Sequence, residues 1–74
     1  HGPDREIELD ETKRRVQAAL MTLPEAQRDV IVLRHWLDLS YEEIADRIGV
    51  PLKTVKSRLF EARRRLAGRL DPTT

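Results

Sequence analysis

Residues 41–66 read YEEIADRIGVPLKTVKSRLFEARRRL, and the spacing of small and apolar residues inside this stretch decides the fold. Ala45, Gly49 and Val55 stand where a helix-turn-helix needs a small residue at the helix crossing, a glycine in the turn and an apolar anchor beneath the second helix. Ile44, Ile48, Val50 and Leu59 fill the remaining inward positions with apolar side chains. Just before the stretch, Ser40 forms a capping box with Glu43, in which a hydroxyl and a carboxylate each satisfy a free N–H of the first turn. Gly49 can take the left-handed conformation that ends a helix, and Val50-Pro51 then leads into the next one.

The second helix of the motif is expected from Leu52 to Leu66. At about 100° per residue, Val55, Leu59, Ala62 and Leu66 share one stripe, which must face the domain. The opposite arc holds Lys53, Ser57, Phe60 and Arg64, flanked by Lys56 and Arg63 on one side and by Thr54, Arg58, Glu61 and Arg65 on the other. Such a face, basic and hydroxyl-bearing with one aromatic ring, suits the major groove of DNA. Lys56 and Ser57 lie in the first turns, the part of a recognition helix that reaches base edges. Phe60 stands about 140° from the core stripe, so its ring needs a partner: a thymine methyl group or a neighbouring domain. Arg58, Arg63, Arg64 and Arg65 are spread around the helix as phosphate contacts would be, or as solvated surface charges would be.

Outward from the motif, the chain continues as helix. A first helix is expected from about Asp10 to Met21, with Val16, Leu20 and Leu23 at helical spacing and Leu9 one heptad before Val16. Residues 2–8 read equally as a linker or as an extension of that helix, and His1-Gly2-Pro3 as native chain or as a remnant foreign to it. Pro24 suits the first turn of a second helix, and Thr22-Leu23-Pro24-Glu25 has capping-box form. That helix should run to about Trp36, burying Ala26, Val30, Leu33 and Leu37 on one face widened by Ile31, Val32 and Trp36. Leu37-Asp38-Leu39 is the link to the motif. With no alternating strand pattern, the chain is expected to be all-α, a compact four-helix domain over residues 10–70, preceded by a segment 1–9 and followed by a tail 71–74.

Composition narrows the function. The 74 residues carry a net charge of only +1, but the first fifty hold seven basic against eleven acidic residues and the last twenty-four hold seven against two. The positive field therefore sits at one end, as it does where a polyanion is met, although a solvated helix would give the same count. There is no cysteine, which removes disulfides, thiolate metal sites and cysteine nucleophiles and fits the cytoplasm. No apolar run approaches the roughly 20 residues of a membrane span. His1 and His35 have no second ligand at metal spacing, so neither metal nor cofactor is expected. Asp38, Glu42, Glu43 and Asp46 read as solvated acids around a helix start rather than as a catalytic pair. No nucleophile, base or phosphate-cradling loop is legible, so neither an enzyme nor a small-molecule substrate is expected.

Taken in order, Leu23-Pro24-Glu25, Val30 to Arg34, Leu39 to Ala45, Thr54 to Leu59 and Ala62-Arg63 resemble region 4 of sigma-70-family RNA polymerase sigma factors, most closely the extracytoplasmic-function group. The resemblance covers about Val16 to Leu66. It implies a domain that recognises the minus-35 element of double-stranded promoter DNA during transcription initiation. It further implies attachment to the RNA polymerase core through the β-subunit flap, and sequestration by an anti-sigma factor. By the same resemblance, Lys56, Ser57 and Phe60 fall on base-reading positions, and Ser40 and Tyr41 on the phosphate-contacting start of the third helix. Lys53 departs from a usual glycine, and Glu61 from a position where a basic residue often meets DNA.

Two rivals bear on these residues. The effector domain of LuxR-type regulators resembles the chain in Lys53-Thr54-Val55-Lys56-Ser57, whereas Arg58-Leu59, Ala62-Arg63 and the Trp36 to Tyr41 approach look more like the sigma domain. A protein-interaction module built on a helix-turn-helix is the other. Salt-dependent DNA affinity separates that module from a DNA reader.

Overall fold

The computed structural model describes residues 3–70, with side chains from 11 to 69. Four α-helices follow one another: α1 (Pro3–Met21), α2 (Glu25–Ile31), α3 (Tyr41–Ile48) and α4 (Leu52–Leu70). A π-helical segment, Val32–Trp36, continues α2 directly. Among the described residues there is no strand, and no helix is long and apolar enough to cross a membrane.

The helix-turn-helix forms as its spacing predicts. The Glu43 N–H donates to Ser40 Oγ at 3.1 Å and the Ser40 N–H donates to Glu43 Oε1 at 2.9 Å, so both halves of the capping box are present. Gly49 closes α3 in the left-handed region at φ 72°, and the N–H groups of Gly49 and Val50 both donate to the Ala45 carbonyl. Pro51 then starts α4 by offering its carbonyl to Thr54 and Val55.

Helix α4 is the spine of the domain, packing against α1, α2 and α3. Val55, Leu59 and Ala62 are buried along it, as the stripe predicts, and meet Ile44 from α3, Val30 and Ile31 from α2, Leu20 from α1 and Leu23 from the turn after it. Each fully buried Val, Leu or Ile contributes about 1.5–3 kcal/mol through lost contact with water. Val16, Ile48, Val50 and Leu66 pack half-buried around this cluster.

Four local expectations need correcting. The first helix starts at Pro3 rather than near Asp10, so of the two readings left open for residues 2–8 the helical extension is the one that forms from Pro3 on, and α4 runs to Leu70 rather than Leu66. The contribution expected of Leu9 and the tail 71–74 lie outside the described side chains. The Thr22 capping box does not form: Thr22 Oγ1 donates back to the Ala19 carbonyl at 2.6 Å, and Pro24 itself is the N-cap, without a side-chain hydrogen bond. Most consequentially, the second helix does not keep one α-helical face to Leu37. At its end the Leu37 N–H reaches back five residues to the Val32 carbonyl, the bond of a π turn, and this wider turn leaves Trp36 and Leu37 about half exposed. Ala26 is exposed as well, so Val30 and Ile31 carry the burial.

Two residues past the π segment stands Asp38, a non-glycine residue with φ 56°. The Leu39 N–H then closes on the Leu33 carbonyl at 3.1 Å, six residues back, one more than in the ordinary Schellman closure. Arg34 braces the link: its Nη1 donates to the Leu39 carbonyl at 2.9 Å and lies 4.0 Å from the Asp38 carboxylate. The direction in which α3 leaves is thereby fixed by a side chain from the preceding helical segment.

Candidate nucleic-acid interface

The outward arc of α4 is arranged as its periodicity predicts. Lys53, Lys56, Ser57, Phe60, Arg63 and Arg64 are exposed, while Thr54, Arg58 and Glu61 on the flanks are half-buried. Phe60 keeps 65% of its surface open although its neighbour Leu59 is buried, so the ring stands outward on a helix whose inner stripe is closed. Lys56 and Ser57 lie one turn before Phe60 or less, which gathers a donor, a hydroxyl and an apolar ring within two turns. That set can address guanine acceptors, either base partner and a thymine methyl, respectively.

Glu61, the acid inside the basic arc, lies 3.8 Å from the Arg64 guanidinium one turn on. Its negative charge therefore has a counter-charge on the same helix surface, and Arg64 is drawn toward that side.

The start of α3 completes the face. Ser40 uses its hydroxyl oxygen to accept from the Glu43 N–H, and the two hydrogen bonds to Ser40, backbone and side chain, hold the Glu43 carboxyl below its ordinary value. Tyr41 stands beside α4: Arg63 Nη1 lies 3.5 Å from its hydroxyl oxygen, and the Arg34 guanidinium lies over its ring, 5.5 Å from the centroid. The Arg63 hydrogen bond and charge, followed by the charges of Arg34 and Lys56, hold the Tyr41 phenol below its usual range. Tyr41, Lys56 and Arg63 thus converge from two helices on one positive corner, a suitable seat for a phosphate.

Arg63 has a second neighbour that sequence reading left aside. Its Nη2 lies 3.3 Å from His35 Nε2, across the gap between α4 and the π segment. Burial first, and then the charges of Arg63 and Arg34, push the His35 imidazole below its ordinary value. No local signal announces Arg34 or His35: the partners that give them a role are Tyr41 and Arg63, seven and twenty-eight residues away. Next to this corner, with His35 and Arg63 on its wall, a groove of about 410 Å³ runs between α1, the π segment and α4. It is lined largely by apolar groups of Val16, Leu20, Ile31, Trp36 and Leu66.

Residues 13–66 match the family described as "Sigma-70, region 4". The chain is 39% identical over 71 residues to the RNA polymerase sigma-H factor of Pseudomonas aeruginosa, covering 96% of the chain and 37% of that protein. It is 37% identical over 70 residues to the ECF RNA polymerase sigma-E factor of Haemophilus influenzae, covering 95% and 37%. To the RNA polymerase sigma-E factor of Streptomyces antibioticus it is 40% identical over 74 residues, covering 93% and 41%. The chain therefore spans about two fifths of the length of these curated relatives.

Proposed function

Because the chain belongs to the region 4 family of sigma-70 factors, in the extracytoplasmic-function group, we propose that it recognises the minus-35 element of double-stranded promoter DNA when bacterial RNA polymerase initiates transcription. The observation that carries the reading is the exposed set on α4, where Ser57 and an open Phe60 stand across from the buried stripe with Lys56 exposed on their flank. In this reading Lys56, Ser57 and Phe60 read bases. Ser40, Tyr41, Lys53, Thr54, Arg58, Arg63 and Arg64 hold phosphates and fix the register.

A DNA-reading domain of this kind performs no covalent chemistry; it works in the cytoplasm as part of an initiation complex. The apolar groove beside the Tyr41 corner, which His35 and Arg63 also line, supports a protein partner, and the β-subunit flap of the polymerase core would dock there. An anti-sigma factor would inhibit by covering either the groove or the DNA-reading set. The ion pair between Glu61 and Arg64 favours the DNA reading over a module that has lost DNA, because the acid inside the basic arc has a counter-charge.

The test is a selection of preferred sites from random duplex DNA, followed by affinity measurements on the best site and on scrambled duplexes. Lys56→Ala and Phe60→Ala should each lose about 1–3 kcal/mol of discrimination, whereas Arg64→Ala should weaken all duplexes alike. Equal losses on every duplex for all three variants would overturn the assignment of readers and holders. Binding that ignores salt would overturn the DNA reading itself.

A further inference from the structure

The cross-helix contact at the Tyr41 corner has a chemistry that is one-sided. An arginine has no acceptor, so the 3.3 Å approach of Arg63 Nη2 to His35 Nε2 requires the imidazole nitrogen to accept. His35 is therefore neutral in this arrangement, with its proton on Nδ1. On the other side of the same guanidinium, Nη1 donates to the Tyr41 oxygen, which leaves the Tyr41 O–H hydrogen available to donate outward. Arg63 spans three elements: its own helix α4, the π segment through His35 and the start of α3 through Tyr41.

We infer that His35 is a positioning residue for DNA binding, holding the Arg63 guanidinium beside the Tyr41 hydroxyl so that the two present one phosphate-binding pair. The inference deepens the DNA reading above and rests on it. An arginine on an exposed helix loses side-chain entropy when a phosphate fixes it; an acceptor that already holds it in place lowers that loss. Accepting from Arg63 also makes the Tyr41 O–H a stronger donor toward an anion. The groups that face His35 are consistent with a neutral acceptor: Arg63 from α4 and Arg34 from its own segment are cationic, and Val16 and Leu20 from α1 are apolar. A protonated His35 would lose its accepting nitrogen and stand against two guanidinium groups, so the arrangement belongs to the neutral form.

The test is the affinity of the chain for a fluorescein-labelled duplex of mixed sequence, read by anisotropy at neutral pH and low salt. Mixed sequence suffices because phosphates, not bases, are at issue. His35→Ala should weaken binding roughly two- to fivefold, the scale of one exposed charge-assisted contact. His35→Gln, whose side-chain oxygen can accept, should restore most of the loss. In an Arg63→Ala background, His35→Ala should have no further effect, because its action passes through the missing guanidinium. Equal binding by the wild type and His35→Ala, or the same loss with and without Arg63, would overturn the inference while leaving the DNA reading intact. Failure of the wild type itself to bind, or binding unaffected by salt, would remove the DNA reading and the inference with it.

Discussion

Arg64 lies within 3.8 Å of Glu61 on the outer surface of α4, so the one acid among the residues assigned to DNA is matched by one of its cations. Two charges are thus partly occupied with each other. Glu61→Gln frees Arg64 and removes a negative charge facing the backbone. Its affinity for duplexes of any sequence should rise by roughly 0.2–1 kcal/mol at low salt, and the gain should shrink as salt rises. Anisotropy titrations on the selected site and on a scrambled duplex check this; a gain confined to the selected site would mean that Glu61 reads a base.

Leu59 and Phe60 are adjacent in sequence and opposite in environment, one 1% and the other 65% exposed. Leu59→Ala should cost about 2–5 kcal/mol of stability, a large share of what a chain of this length has. Phe60→Ala should leave stability within about 0.5 kcal/mol while losing discrimination between duplexes. Urea unfolding of both variants, beside their DNA affinities, tests the division.

At Gly49, a Cβ would meet nothing within 4 Å, so the position needs glycine for its backbone and not for space. With φ at 72°, Gly49→Ala should destabilise by about 1–2 kcal/mol through left-handed strain alone. Gly49→Asn should cost clearly less, because asparagine tolerates that region. Thermal unfolding of the two variants gives the comparison.

Ser40→Ala removes the N-cap of α3 and should cost about 1 kcal/mol, lowering the melting temperature by about 4–8 °C. The pH dependence follows from two groups held below their ordinary values. His35 and Glu43 both have lowered folded-state values, so the unfolded chain takes up protons first as pH falls. The His35 contribution is complete above its ordinary value of 6.5 and is lost as pH falls through the lowered one; Glu43 behaves likewise below 4.5. Urea unfolding across pH should therefore show stability falling in two steps, the upper step absent in His35→Gln and the lower one reduced in Ser40→Ala.

The features legible in the sequence are those fixed by local chemistry. Ser40 with Glu43, Gly49 and the Val55–Leu59–Ala62 stripe each state their structure within a few residues, and all three form as read. The open Phe60 follows from the same periodicity. The second helix misleads because counting at 100° per residue presumes an α turn; the π turn at Val32–Trp36 breaks that count and puts Trp36 and Leu37 outside. Thr22 misleads because a hydroxyl can satisfy the carbonyl behind it as readily as the N–H ahead. His35, Arg34 and their hold on the Tyr41 corner were not legible, since each depends on partners that only the packed helices bring near.

The wide turn before Asp38 can also be restated as a matter of insertion and deletion. A π turn is an α-helix carrying one residue more than its hydrogen bonds need. A chain shortened by one residue between Val32 and Trp36 could close into ordinary helix with its later residues near their present places, because the wide turn absorbs the extra one. Closing that turn at the present length would instead carry every later residue of the segment about 100° around the axis. His35 would then leave Arg63, and Arg34 would leave the Leu39 carbonyl. Chain length and turn width are therefore matched in this segment, and a change that forced an ordinary turn at the present length would unseat the Tyr41 corner without altering Tyr41 or Arg63.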